Sequence, residues 1–303
     1  MLLESIVKEF VLDKKFEGLR DSTLEGYDNF FKGFTKYLYE QEVEHLEDLT
    51  KRNLKQFLMY CYEELNNKPV SVNTKLRIMR VFCRWLYVEK LTDSLLTEGI
   101  KTMKEDVQPK IVTTEDVRAV LSHLRRSKRR EDSFTSRRNY VIMLTFIGTG
   151  MRLSEIERLH WSDINFTESV IRIQLSKSRT SQSVPLSDTL ARELLEYRLF
   201  LERKFAKLPQ SLFITKEGHL LSRTAIQNIF KRLKKQLGLQ SRFCPHGLRA
   251  YFIKEVLRSG SNLRQSQLLA RHSKIQTTQL YVGYHAHELK EGLDEHNPLN
   301  DLI

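Results

Sequence analysis

His246, Arg249, His272 and Tyr281 fall within one short stretch near the C-terminus, between Cys244 and Tyr284. Arg152 lies far upstream, and Lys177 falls in a predicted hairpin turn. Guanidinium and ammonium groups can bind the oxygens of a phosphate, imidazoles can exchange protons near neutrality, and a phenol can attack phosphorus. A tyrosine hydroxyl has a pKa of about 10, so it attacks only with a proton acceptor beside it and positive charge around the reacting group. The residue types therefore suit attack on a phosphodiester. Singly, each is unremarkable: lone histidines are mostly surface or core residues, lysines are common in turns, and the chain has 11 tyrosines.

These side chains need elements to position them. In the N-terminal part, Ser22 and Glu25 have capping-box spacing, and Leu24, Tyr27, Phe30, Phe31, Phe34 and Leu38 recur every three or four residues, one apolar helical face. A second helix is expected over about 54–65 and a third over about 71–89. The third has Val72, Leu76, Met79, Phe82, Cys83 and Leu86 on its apolar face. Another face carries Arg77, Arg80 and Arg84, which suits either a DNA backbone or plain solvation. Trp85 and Tyr87 read as core residues. The region is an all-helical bundle. Residues 95–110 lack periodicity and end at Pro109, which reads as a linker and puts the domains at 1–105 and 106–303.

Thr114 reads as the N-cap of the next helix, which leads into a basic stretch of Arg125, Arg126, Lys128, Arg129, Arg130, Arg137 and Arg138. That stretch suits a phosphate-binding patch or a charged loop equally. Residues 140–146 form a strongly apolar run, expected as a buried helix that stops at Gly148-Thr149-Gly150. A helix starting near Met151 puts Arg152 at its beginning, and Glu155, three residues on, can hold the guanidinium from behind. Ile171, Ile173 and Leu175 alternate with Arg172 and Gln174, a strand period, and Ser183 to Leu186 make the return strand, with Lys177 at the tip. Further helices are expected over about 190–205, 224–237, 252–258, 262–270 and 277–284. The fold class is mainly α with a small β-hairpin or sheet: a helical bundle followed by an α+β domain.

A length of 303 residues fits two domains, and 40% hydrophobic residues suffice for real cores. The formal charge of +12 favours a polyanionic partner, nucleic acid before an anionic membrane surface. There is no apolar run of membrane-spanning length and no secretory pattern at the N-terminus, which points to the cytoplasm, with association to the nucleoid. Cys61, Cys83 and Cys244 are scattered and odd in number, fitting reduced thiols without zinc-ligand spacing. The lack of a phosphate-cradling glycine loop argues against an NTPase.

Taken in order, these pieces resemble the tyrosine recombinase/integrase family. The run Thr149-Gly150-Met151-Arg152-Leu153-Ser154-Glu155 is similar to its first arginine box. Lys177, eight residues before Pro185, is similar to its hairpin lysine. His246-Gly247-Leu248-Arg249 resembles its H-x-L-R box, and His272, with Tyr281 nine residues on, resembles its last histidine and nucleophile. Tyr284 is a near competitor, and the spacing from His272 favours Tyr281. Two positions depart: Arg271 stands where the family usually has glycine, and Ala250 where a second histidine often follows the H-x-L-R box. The length leaves little room for an arm-binding domain and is similar to Xer-like recombinases and transposon-borne resolvases.

The resemblance implies a core-type DNA-binding domain followed by a catalytic domain, and site-specific cleavage and rejoining of double-stranded DNA through a 3′-phosphotyrosyl link on Tyr281. It implies Arg152 and Arg249 on the phosphate oxygens, Lys177 protonating the leaving 5′-oxygen, His246 accepting the tyrosine proton and His272 bonding a phosphate oxygen. No metal, ATP or other cofactor is called for. The partners implied are DNA and three further protomers, as a homo-tetramer or a hetero-tetramer with a related recombinase, and no membrane. A catalytically silent DNA-binding regulator of the same fold and a type IB topoisomerase-like enzyme are the alternatives.

Overall fold

The structure, a computed structural model, describes residues 1–105, 112–173, 182–271 and 275–279. The chain divides into two compact units, Met1–Val107 and Gln108–Ile303.

The first unit is built from α1 (Leu3–Phe16), α2 (Asp21–Glu40), α3 (Lys51–Glu63) and α4 (Pro69–Val88). The predicted apolar face of α2 is buried at Leu24, Phe30, Phe31, Phe34 and Leu38, and that of α4 at Val72, Leu76, Met79, Phe82, Cys83 and Leu86. α4 begins with Pro69 in its first turn, where a missing N–H costs nothing. Sequence reading missed α1. Its Phe10 is fully buried at the centre of the unit, with ring centroids of Tyr27, Phe31, Phe82 and Trp85 5.2–5.6 Å away. Edge-to-face packing of this kind adds to the area such rings bury.

Three expectations for this unit need correction. Ser22 caps nothing: α2 starts one residue earlier behind Arg20, which makes no side-chain cap. The reciprocal cap lies instead on α3, between Thr50 and Asn53. Tyr87 is 51% exposed, because it points off the face that buries Trp85. The segment after α4 is not a loose linker as far as residue 105. Ile100 is buried, and the Asn73 amide pairs with both backbone groups of Met103 (2.9 and 2.8 Å) and donates to Glu105 Oε1 (2.6 Å).

The second unit holds α5 (Thr114–Glu131), α6 (Phe134–Thr149), α7 (Leu153–Glu157), β1 (Ile164–Asn165), β2 (Val170–Ile173), β3 (Gln182–Pro185), α8 (Asp188–Lys204), α9 (Arg223–Leu237), α10 (Pro245–Arg258), α11 (Leu263–Ala270) and α12 (Gln276–Gln279). The strands form one antiparallel sheet in the order β1-β2-β3, with Ile164 opposite Ile171 and Ile171 opposite Val184. The period of two buries Ile171, Ile173 and Val184. α6 is the central helix, with Tyr140, Val141, Ile142, Met143 and Phe146 all buried. Phe146 meets Phe230 of α9 edge-on at 5.1 Å.

The basic stretch is neither a loop nor one open patch. Thr113, not Thr114, caps α5, and the helix runs on to Glu131, so Arg125 to Arg130 are its last turns. Lys128 is held by Glu193 and Glu196, each at 2.8 Å, and Arg137 pairs with Asp132 and Glu196. Arg138 is buried and donates to the Ile214 carbonyl at 3.0 Å. Arg125, Arg126, Arg129 and Arg130 stay exposed. No helix among the described residues is long and apolar enough to cross a membrane.

Candidate active site

The first arginine is placed by the end of α6. Its last residue is followed by Gly150 at φ +56°, a left-handed stop that glycine adopts without penalty. A Cβ here would also run into the Phe252 ring of α10. The chain turns and Arg152 becomes the N-cap of α7. Glu155 does hold it: Oε1 accepts from Arg152 Nη1 at 2.9 Å, and Oε2 accepts from the Arg152 backbone N–H at 2.8 Å. That backbone donor is therefore taken by the carboxylate. α7 is in turn fixed to α9, since Glu157 accepts the N–H of Arg223 at 2.8 Å.

The H-x-L-R box lies in the first turns of α10, earlier than the helix start read from sequence. Cys244 is the N-cap, its sulfur accepting from the Gly247 N–H at 3.3 Å, and Pro245 opens the helix. Gly247 is required by contact, not by torsion: a Cβ would strike the Arg242 carbonyl and Val112. His246, in the first turn, lies at the surface, and Arg249, one turn further into the helix, is buried, 5% exposed. Arg249 Nη1 donates to the Gly150 carbonyl at 2.6 Å, and Nη2 donates to the Ala270 carbonyl. Arg152 Nη2 donates to the next carbonyl, that of Arg271, at 3.2 Å.

Arg152 and Arg249, far apart in sequence, thus converge on two consecutive carbonyls at the end of α11. Each guanidinium carries five N–H donors in a planar fork. Partial desolvation of the ring by its surroundings, then the charges of Arg249 and Arg242, hold the His246 pKa below its ordinary value, so the neutral, proton-accepting ring persists to lower pH. For Glu155, burial works to raise the pKa, but Arg271 and then Arg152 outweigh it and the carboxyl titrates below the ordinary range.

Arg77 and Arg84 are exposed on α4. Arg80 is not their equal: it donates to the Ile100 carbonyl at 2.6 Å and ties down the segment after the helix. Lys177, His272 and Tyr281 lie outside the described residues, as do Tyr284 and the chain beyond it. Ala250 is buried against the core of the second unit. Arg271, noted in the sequence only as a departure, is a buried partner of Glu155 at 2.9 Å. Its one signal in the sequence was a bulky residue at a glycine position. Among the described residues no group of three His, Cys, Asp or Glu side chains is placed to hold a metal ion.

The comparisons with known proteins cover most of the chain. Residues 110–288 match the phage integrase family, and residues 6–93 match the phage integrase N-terminal SAM-like domain. Tyrosine recombinase XerD of Halalkalibacterium halodurans is 29% identical over 282 residues, spanning 91% of this chain and 92% of its own. Tyrosine recombinase XerC of Thermodesulfovibrio yellowstonii is 26% identical over 294 residues, spanning 94% and 93%. Among solved structures, the Tn1549 transposon integrase in complex with transposon right end DNA superposes with a TM-score of 0.78 at 14% identity, covering 97% of this chain and 99% of that one. A lambda integrase dimer bound to a COC′ core site superposes at 0.77 with 17% identity, covering 95% and 98%. Such identities speak for the fold, and the match over residues 110–288 settles membership: the chain belongs to the phage integrase family of tyrosine recombinases.

Proposed function

We propose that this tyrosine recombinase recombines double-stranded DNA at specific sites through a 3′-phosphotyrosyl intermediate on Tyr281. The observation that carries this reading is the convergence of Arg152 and Arg249 on the carbonyls of Arg271 and Ala270, immediately before His272. Two guanidinium forks fixed from different helices can share one phosphate between them. In the step proposed, Tyr281 Oη bonds to phosphorus while its proton passes to His246, and the P–O5′ bond breaks. The 5′-oxygen leaves with a proton from Lys177. Arg152, Arg249 and His272 stabilise the charge that builds on the non-bridging oxygens. The phosphotyrosyl link retains the energy of the phosphodiester, so a 5′-hydroxyl can reverse the step without ATP. Residues 1–105 serve as the core-type DNA-binding domain, with Arg77 and Arg84 on the backbone, and residues 106–303 as the catalytic domain. Exchange between two duplexes takes four protomers, alike or paired with a related recombinase.

The names of the full-length relatives support recombinase over topoisomerase, and the presence of Arg152, Arg249 and Tyr281 supports an enzyme over a silent regulator. The test is covalent trapping on a nicked duplex taken from DNA flanking the gene, resolved on denaturing gels. An adduct is expected for wild type and Tyr284→Phe and none for Tyr281→Phe, with DNA binding kept in all three. An adduct that survives Tyr281→Phe would falsify the assignment.

A further inference from the structure

We infer that Arg271 is a positioning residue for the reaction: its guanidinium holds Glu155, and through Glu155 it fixes the phosphate-binding fork of Arg152. The inference rests on the role proposed above for Arg152.

The backbone supplies the first observation. Arg271 caps α11 at φ +54°, ψ +47°, the left-handed region where an L side chain is strained and glycine is not. Helix-end geometry alone therefore favours glycine, the residue usual for the family. A long side chain kept in a strained conformation invites a search for what that side chain does. Here it turns inward, 3% exposed, to meet a carboxylate that is 7% exposed.

The contacts then close a loop. Arg271 Nη2 donates to Glu155 Oε2 at 2.9 Å, and the same oxygen accepts the Arg152 backbone N–H at 2.8 Å. Glu155 Oε1 accepts from Arg152 Nη1 at 2.9 Å. Arg152 Nη2 returns to the Arg271 carbonyl at 3.2 Å, and Arg271 Nη1 donates to the Leu269 carbonyl at 3.2 Å. One residue thus grips Arg152 twice, by its side chain through Glu155 and by its own carbonyl. A guanidinium aimed by two fixed acceptors reaches a phosphate with less reorganisation than one on a free stem.

Charge gives the loop its second purpose. Arg152, with its side chain 40% exposed, is the partial counter-ion that Glu155 would keep without Arg271. The other charged or titratable groups around the adjoining cavity are Arg158, His160, Asp163 and Arg172. Arg271 is the largest of the influences that keep the buried carboxyl ionised against its burial. Without it, the carboxyl protonates at higher pH and loses its double acceptor geometry.

The test compares full-length wild type, Arg271→Gly, Arg271→Lys, Glu155→Gln and Arg271→Gly/Glu155→Gln. Glycine relieves the backbone strain, so the fold is retained and thermal unfolding serves as the control. In the protein alone, carbon-detected NMR of the Glu155 carboxyl should show its titration moving to higher pH in Arg271→Gly. The Arg152 side-chain NH signals should broaden in the same variant. Unchanged titration and unchanged Arg152 signals would overturn the inference, whatever the activity. In single-turnover cleavage, Arg271→Gly should be slower by roughly 10- to 100-fold, the range for groups that orient reacting ones. Its acid limb should move up in pH, with partial recovery in Arg271→Lys. Once Glu155 is glutamine, removing Arg271 should change the rate little and add no new limb. A loss confined to unfolding temperature, or full additivity of the two substitutions, assigns Arg271 a merely structural part and overturns the proposal. Absence of a wild-type adduct on Tyr281 removes the recombination reading instead, and the NMR comparison still decides whether Arg271 holds Arg152.

Discussion

Two glycines only two residues apart, Gly148 and Gly150, should respond to alanine with opposite sign. Gly148 lies inside α6 on its exposed side, and a Cβ there would meet Leu190 Cδ2 at an ordinary 3.6 Å. Alanine at such a helical position is worth about 0.5–1 kcal/mol over glycine. Gly150 sits just past the helix at φ +56°, ψ +21°. A side chain costs about 1–2 kcal/mol in that region. Its Cβ would also overlap the ring of Phe252, and overpacking costs about 1–3 kcal/mol, toward the low end here because the half-buried ring can yield. The sum is about 3 kcal/mol, which for a unit of 150–250 residues lowers Tm by about 6–12 °C, whereas Gly148→Ala should raise it by about 1–4 °C. Scanning calorimetry of the full chain reads both. Cleavage should fall in Gly150→Ala at temperatures where it is folded, because the Gly150 carbonyl anchors Arg249. Equal Tm values for wild type and Gly150→Ala would refute the reasoning, since neither torsion nor contact would then constrain that turn.

The arginines of α4 should separate by role. Arg77→Ala and Arg84→Ala should weaken DNA binding and each lower the slope of log K against log salt by about 0.9. Arg80→Ala should leave that slope alone and destabilise the first unit by about 1–2 kcal/mol through the lost bond to Ile100, measured by urea unfolding. A third expectation concerns pH. Arg242→Ala removes a positive charge that holds the His246 pKa down, so the acid limb of cleavage should move up toward pH about 6.5. Under the role proposed for His246, neutral imidazole is the competent form, so activity is then lost sooner as pH falls. An unmoved limb would count against His246 as the proton acceptor.

The apolar faces of α2 and α4 were legible because every third or fourth residue was buried and the rest was not. α1 was not: Leu3, Ile6 and Phe10 carry its face, while Leu12 and Phe16 stand exposed off it and Lys14 is buried on it. The capping signal at Ser22 and Glu25 was genuine in pattern, yet α2 begins ahead of it, at Asp21, with no side-chain cap. The basic stretch misled for a different reason. The counter-charges of Lys128, Glu193 and Glu196, lie on α8, more than sixty positions along the chain. In the site, Arg152 and Glu155 were readable because they are three residues apart on one helix. The Arg271–Glu155 pair spans 116 positions, and only the packed structure brings it together.

The carbonyls of Ala270 and Arg271 are the orphan acceptors that end α11, the electronegative pole of that helix. Arg249 and Arg152 therefore serve as helix caps supplied from elsewhere in the chain. Their positive charge already has an acceptor before any phosphate arrives, so the buried Arg249 guanidinium is not left unsatisfied. Under the role proposed for the two arginines, a phosphate meets guanidiniums already aimed by these carbonyls, so little reorganisation is left to its arrival. Neutral ligands gain little from such forks, while an anion whose charge grows during reaction gains more as it proceeds. By linkage, whatever orders the last turn of α11 then tightens the hold on phosphate, and a bound phosphate steadies that turn in return.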